Sequence, residues 1–207
     1  MSAAAVERPH PETPATLLAT ANWLMERNPG LRVEIIGGVI TVTPPPDYAH
    51  ARVLTTLMRA FDHAGLHEGD TAIAQGVGLW LPGGPEDYAI PDFVLVDADI
   101  EEHLVENNCY DPVCFRLVLE VTSSNYNSDL RDKVRAYAQA GVPVYVIVDR
   151  RHQRVRVLTD PADGDYATTA LHAPGQQVTL PDAIGAKVTL DVDSLLSAGT
   201  ARTEPRD

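Results

Sequence analysis

No apolar run in these 207 residues approaches the roughly 20 that a membrane-spanning helix needs, so a helical anchor is not expected. The stretch from Met1 to Pro14 has no apolar leader core and carries Glu7, Arg8, Pro9 and Pro11. No secretory signal is expected there, and the expected location is the cytoplasm. Cysteine is scarce. Cys109 and Cys114 are the only two, and their spacing fits neither a zinc knuckle nor a redox pair, so both read as reduced, structural thiols. Basic charge is in deficit, with 16 Lys and Arg against 29 Asp and Glu and a net charge of −13. That deficit weakens the case for a nucleic-acid partner, because phosphate-binding surfaces cluster cations and an acidic body repels a polyanion. The basic residues present gather at Arg131, Lys133 and Arg135, then at Arg150, Arg151, Arg154 and Arg156, which leaves room for a local basic strip. No GxSxG elbow surrounds Ser123 or Ser124, and no phosphate-cradling glycine loop with a lysine is present. His63 and His67 have one-face helical spacing, but Gly65 lies between them and a third zinc ligand is missing.

Apolar residues make up 44% and charged residues 22%, the composition of a globular chain able to bury one core. A single domain over residues 14–196 is expected, with 1–13 and 197–207 as flexible tails. Thr13 and Pro14 read as a helix start, with Leu17, Leu18, Ala21, Trp23, Leu24 and Met25 at helical spacing until Asn28-Pro29-Gly30. Val33–Ile36 and Val39–Val42 flank Gly37-Gly38, the pattern of a tight hairpin. After Pro44-Pro45-Pro46, Asp47 caps a second helix with the stripe Val53, Leu54, Leu57, Met58 and Phe61. Residues 69–81 look strand-like with a break at Gly76 or Gly78, and residues 97–112 read as an irregular acidic excursion. Strands are expected at 91–96, 115–122 and 144–148. A helix capped within Asn125–Ser128 and carrying Leu130, Val134, Tyr137 and Ala138 joins the last two as a crossover. Short strands near 155–158, 166–171, 177–180 and 187–190 precede a final helical turn at 191–196. The expected fold class is α/β with one mixed sheet.

Two of these strands end in a carboxylate. Pro91-Asp92 opens the run Phe93–Val96, and Phe115–Leu119 runs into Glu120. Near-continuous apolar runs read as strands covered on both faces, where a charge is costly without a cationic partner. Were the strands antiparallel neighbours, Asp92 and Glu120 would converge, as hard-oxygen ligands of a divalent cation do. Read singly, Asp92 is a strand-start residue bonding local backbone, and Glu120 a partner of Arg116 or Arg135. Lys133 is either a surface partner of Asp129 or a cation snorkelling to the strand end, where it would orient a water or stabilise phosphate charge. Glu34 is either a third acid or an edge-strand charge. His50 on the opening turn of the second helix reads as a surface residue, and Gln75 as a neutral ligand or an ordinary strand residue. Thr122 shares a strand face with Glu120.

The motifs Val33-Glu34-Ile35-Ile36-Gly37-Gly38, Pro44–His50, Pro91-Asp92-Phe93-Val94, Leu119-Glu120-Val121-Thr122-Ser123, Asp129–Lys133, Gly141-Val142-Pro143 and Val148-Asp149 together resemble the Uma-type restriction endonuclease family of the PD-(D/E)XK nuclease superfamily. The resemblance implies a restriction-endonuclease-like core with an N-terminal helix and hairpin and extra C-terminal strands. It also implies magnesium-dependent hydrolysis of DNA phosphodiesters, with Mn²⁺ as a substitute. Asp92 and Glu120 match the metal ligands, Glu34 the early acid, and His50 the histidine before helix two. The superfamily lysine two residues after the glutamate is replaced by Thr122, and the resemblance assigns its role to Lys133. A module that keeps the fold with little or no hydrolytic activity is the alternative. DNA is the expected partner despite the acidity, a membrane is not, and a homodimer would form through strands such as 77–81 or 154–158.

Overall fold

Thr16 starts the first helix by accepting the Ala19 N–H at 3.1 Å. The computed structural model describes residues 16–122 and 131–199, so Thr13, Pro14 and the Asn125–Ser128 caps lie outside the described residues, as do 1–13 and most of 197–207. Helix α1 (Leu17–Arg27) leads into the hairpin β1 (Arg32–Ile36) and β2 (Val39–Thr43), then α2 (Tyr48–His63). The expected strand at 69–81 is two, β3 (Thr71–Ala74) and β4 (Gly78–Trp80), followed by β5 (Tyr88–Ala89) and β6 (Phe93–Asp97). The excursion at 97–112 is ordered rather than irregular. It holds a 3-10 turn at Ile100–His103, strands β7 (Leu104–Glu106) and β8 (Cys109–Tyr110), and a second turn at Pro112–Cys114. Next come β9 (Phe115–Val121), α3 (Lys133–Gln139), β10 (Val144–Asp149), β11 (Arg154–Ala162), β12 (Asp165–His172), β13 (Gln177–Thr179), β14 (Thr189–Asp191) and α4 (Val192–Ala198). The last helix runs to Ala198, two residues beyond the expected 191–196 turn.

The strands divide among sheets instead of forming the single one expected. A six-stranded sheet has the order β12-β11-β10-β9-β6-β3, a second has β2-β1-β5-β4-β8-β7, and β13 pairs with β14. Positive φ at Gly76 lets the chain leave the first sheet after β3 and enter the second at β4. In the first sheet β9 and β10 are parallel, joined across α3, while β6 and β9 are antiparallel. Strands β4 and β11 are hydrogen-bonded on both sides within their sheets.

Alternation along each strand sorts the core into layers. Phe93, Leu95, Leu117, Leu119, Val144, Val146 and Val148 face α2 and α4, where they meet Leu57, Phe61 and Leu195. Val94, Val96, Val118, Tyr145 and Ile147 face α3 and the inner side of the second sheet through Tyr137, Leu79 and Leu81. Leu18 and Ala21 of α1 cover the outer side of the second sheet at Val33, Ile35 and Tyr88. Met58 is partly exposed at the margin of the α2 stripe. Burying each large side chain contributes about 1.5–3 kcal/mol. The Gly37-Gly38 turn has φ of +59° and +72°, the sign that a two-residue hairpin requires. Both glycine N–H groups donate to the buried Asp87 carboxylate, at 2.8 and 3.1 Å, which fastens the hairpin to the loop before β5.

Both cysteines are free and buried, and burial pushes each thiol up to about 12. They are inert packing groups, as expected. Cys109 also limits β4. A Cβ on Gly78 would drive into the Cys109 sulfur and lie 3.0 Å from the Asn108 carbonyl oxygen and 3.1 Å from Cys109 Cα. Two of these obstacles are backbone and cannot rotate away. Gly78→Ala is therefore expected to lower the unfolding free energy by about 1–3 kcal/mol in urea denaturation; an unchanged midpoint would contradict the close β4–β8 approach.

Candidate functional site

Antiparallel register brings the two acidic strand ends together. Phe93 lies opposite Leu119, so the next step places Asp92 beside Glu120. The contact is direct at the backbone, since the Val121 N–H donates to Asp92 Oδ2 at 2.8 Å. Asp92 is buried, and His50 Nε2 lies 2.9 Å from the same oxygen, while Arg32 Nη2 donates to Oδ1 at 2.7 Å. Burial by itself pushes this carboxyl up; the His50 hydrogen bond, the Arg32 charge and the Val121 N–H outweigh it and hold the group well below the usual carboxylate range.

Glu120 sits on the face of β9 that looks at α3, and two groups from that helix donate to its Oε1. Lys133 Nζ is at 2.8 Å and the Tyr137 hydroxyl at 2.8 Å. Lys133 also reaches Glu34 Oε1, at 2.9 Å, and only 3% of it is exposed. Glu34 faces inward because Val33 and Ile35, its neighbours on β1, point to the α1 side. Its Oε1 accepts the Ile90 N–H at 2.7 Å, two residues before Asp92. Burial, then the negative charge of Glu120 and Glu34, push the Tyr137 hydroxyl well above its ordinary value, so it stays a neutral donor.

Arg32, Glu34, His50, Asp92, Glu120 and Lys133 line a cavity of about 650 Å³ whose lining also includes Pro44–Asp47, Arg150, Arg151 and Gln153. Asp47 caps α2 by accepting the His50 N–H at 2.6 Å and holds Arg150 Nη1 at 3.2 Å. Arg150 Nη2 donates to the Gly199 carbonyl at 3.1 Å. Thr122 ties the strand exits: its hydroxyl donates to the Val148 carbonyl at 3.3 Å and accepts the Arg150 N–H at 3.0 Å.

The structure thus gathers Asp92, Glu120, Lys133, Glu34, His50 and Thr122 around one cavity. His50 is buried rather than at the surface, because α2 starts directly over the ends of β6 and β9. Glu34 is an interior acid, not an edge charge. Glu120 pairs with Lys133, not with Arg116 or Arg135; Arg116 pairs with Asp97 at 2.6 Å. Gln75 does not belong to the site. It is away from the cavity lining, and its amide donates to Met58 Sδ at 2.7 Å. Sequence reading missed Arg32, which stands at the start of β1 with no local signal. It also missed Tyr137 as a polar partner, because helical spacing assigned it to the apolar stripe. Arg150 and Arg151 were visible only as part of a basic strip.

A family model described as "Uma2: Putative restriction endonuclease" matches residues 20–193. The chain belongs to the Uma2 family. Among solved structures, it is similar to "a putative nuclease belonging to DUF820 from Anabaena variabilis ATCC 29413", with a TM-score of 0.63 and 16% identity over 81% of this chain and 91% of that one. That similarity establishes a restriction-endonuclease-like fold for this Uma2 chain, with mixed sheets. No curated protein matches it. No helix among the described residues is long and apolar enough to cross a membrane.

The donor set suits a small hard cation. Among the described residues no three His, Cys, Asp or Glu side chains form a ready cage. Mg²⁺ does not need one, since it commonly keeps several waters and takes one or two protein carboxylates. Asp92 and Glu120, adjacent and lining one cavity, fit that requirement.

Proposed function

We propose that this Uma2 protein is a metal-dependent endonuclease hydrolysing phosphodiester bonds in DNA. The observation that carries the reading is the buried Lys133, bridging Glu34 and Glu120 beside Asp92 at the floor of an arginine-lined cavity. Ion pairs this deeply buried add little net stability compared with an apolar core, so a chemical role accounts for the cluster better than a structural one. Asp92 and Glu120 would hold Mg²⁺, or Mn²⁺ in its place. The bound cation supplies charge neutralisation at the scissile phosphate and activation of water. Lys133 Nζ, fixed by the two glutamates, orients the attacking water and stabilises developing negative charge. His50 and the Val121 N–H orient Asp92, and Tyr137 orients Glu120, as outer partners do around metal ligands. Arg150 and Arg151 offer cationic contacts to a phosphate entering the cavity, which with the metal offset the repulsion expected from a net charge of −13.

Calorimetric titration with Mn²⁺ tests the ligand assignment. Glu120→Gln keeps the size of the side chain and an oxygen for Lys133 and Tyr137, yet should weaken Mn²⁺ binding at least about tenfold. Equal affinity for both proteins removes Glu120 from the ligand set. Two observations favour the alternative, a nuclease-fold binding module: Asp92 has both oxygens engaged, and Thr122 stands where a strand lysine is usual for this superfamily. That module would bind DNA and leave plasmid and single-stranded substrates intact at every Mg²⁺ concentration.

A further inference from the structure

Arg32 holds a position that the proposed chemistry has not yet used. Its Nη2 donates to Asp92 Oδ1 and its Nη1 to the Ile90 carbonyl, at 2.7 and 3.1 Å, and its side chain is 25% exposed to the cavity. The two oxygens of Asp92 are not equivalent. Oδ2 accepts from a backbone N–H and faces the buried His50, both parts of the rigid frame. Oδ1 has Arg32 as its hydrogen-bond partner, and Arg32 is the more exposed of the two cations in contact with the acids, Lys133 being sealed between Glu34 and Glu120.

Three buried carboxylates, Glu34, Asp92 and Glu120, meet two basic side chains, Arg32 and Lys133. A guanidinium near Oδ1 lowers the cost of burying that excess negative charge. A divalent cation on the same oxygen would do so more strongly and would repel the guanidinium. The long, flexible arginine side chain can leave; the Val121 N–H cannot.

We propose that Arg32 is a stand-in cation that occupies Asp92 Oδ1 until a divalent metal takes that oxygen, and that the released guanidinium then binds a phosphate of the DNA in the cavity. The inference rests on the reading of this site as a metal-dependent nuclease. It gives Arg32 two roles with opposite consequences. Arg32 competes with the metal, and it assists the substrate, whose phosphate a planar guanidinium can grip with two parallel hydrogen bonds.

The test uses the full chain, Mn²⁺ as the probe, and the variants Arg32→Gln and Arg32→Ala. Glutamine retains an amide able to bond Asp92 or the Ile90 carbonyl, so it guards against a folding failure in the alanine variant. Calorimetry is expected to show Mn²⁺ binding roughly tenfold tighter in Arg32→Gln than in wild type, since a charge-assisted hydrogen bond to the ligand oxygen no longer competes. At saturating Mn²⁺, the same variant is expected to show a roughly tenfold higher KM for a plasmid substrate, with kcat changed less. Binding by the variant when wild type binds too weakly to measure would support the stand-in role outright. Equal or weaker binding by both variants, with wild type binding Mn²⁺, overturns it and leaves the nuclease reading untouched. Failure of all three proteins to bind overturns both. Tighter metal binding with an unchanged KM overturns the phosphate contact.

Discussion

Lys133→Met is expected to lower the unfolding free energy by about 3–5 kcal/mol, the range for removing one partner of a buried ion pair. Lys133 Nζ lies 2.9 Å from Glu34 and 2.8 Å from Glu120, and all three side chains are almost wholly buried. Methionine matches the lysine stem in length, so packing survives while the two carboxylates lose the ammonium between them. The loss then comes from uncompensated charge in a poorly solvated place, not from a cavity. A second variant isolates that cause. The triple substitution Glu34→Gln, Glu120→Gln and Lys133→Met removes the charges together and is expected to recover most of the lost stability, because both glutamines can still accept and donate hydrogen bonds. Urea denaturation of wild type, single and triple variants measures the effect. A triple variant no more stable than Lys133→Met would show that lysine packing, rather than charge balance, holds α3 against β9.

The second large effect concerns chemistry. Asp92→Asn is expected to reduce Mg²⁺-dependent cleavage of plasmid DNA by about a thousandfold, because metal-ion charge stabilisation is worth several kcal/mol in a transition state. The asparagine is nearly isosteric but offers one acceptor where aspartate has two. If its oxygen receives the Val121 N–H, its amide must face the Arg32 guanidinium, donor against donor. A stability loss of about 1–3 kcal/mol accompanies the change on that account, small enough for a folded protein to be assayed at low temperature. Cleavage rates and circular dichroism on the same preparation separate the two consequences. Wild-type rates in a folded Asp92→Asn protein would exclude Asp92 from the reaction and with it the nuclease proposal in its present form.

Much of the positioning frame was readable residue by residue. Gly37-Gly38 between two β-favouring runs specifies a hairpin because both positions need positive φ, and Asp47 after the prolines specifies the start of α2 because its carboxylate can take a free helix N–H. The antiparallel pairing of β6 with β9 was only a condition in the sequence; the structure meets it, and the two charged strand ends lie together. The division into two six-stranded sheets was not readable. Strands as short as Tyr88–Ala89 and Cys109–Tyr110 carry too few residues for a periodic signal, and they exist because the second sheet pairs with them. His50 was misjudged for a similar reason, since a histidine on an opening helical turn carries nothing local that tells solvent from interior.

Local chemistry in the chain was enough to specify an α/β fold, its hairpin and crossover, the acids Asp92 and Glu120 at strand ends, and Lys133 on the helix between β9 and β10. Those features depend on backbone preference, side-chain periodicity and the cost of burying charge, which act over a few residues at a time. The partners of each charge were decided only by tertiary packing. Arg32 meets Asp92 across 60 positions and Glu34 meets the Ile90 N–H across 56. Contacts at such separation depend on how the sheets and helices stack, and no short-range pattern encodes which cation reaches which carboxylate.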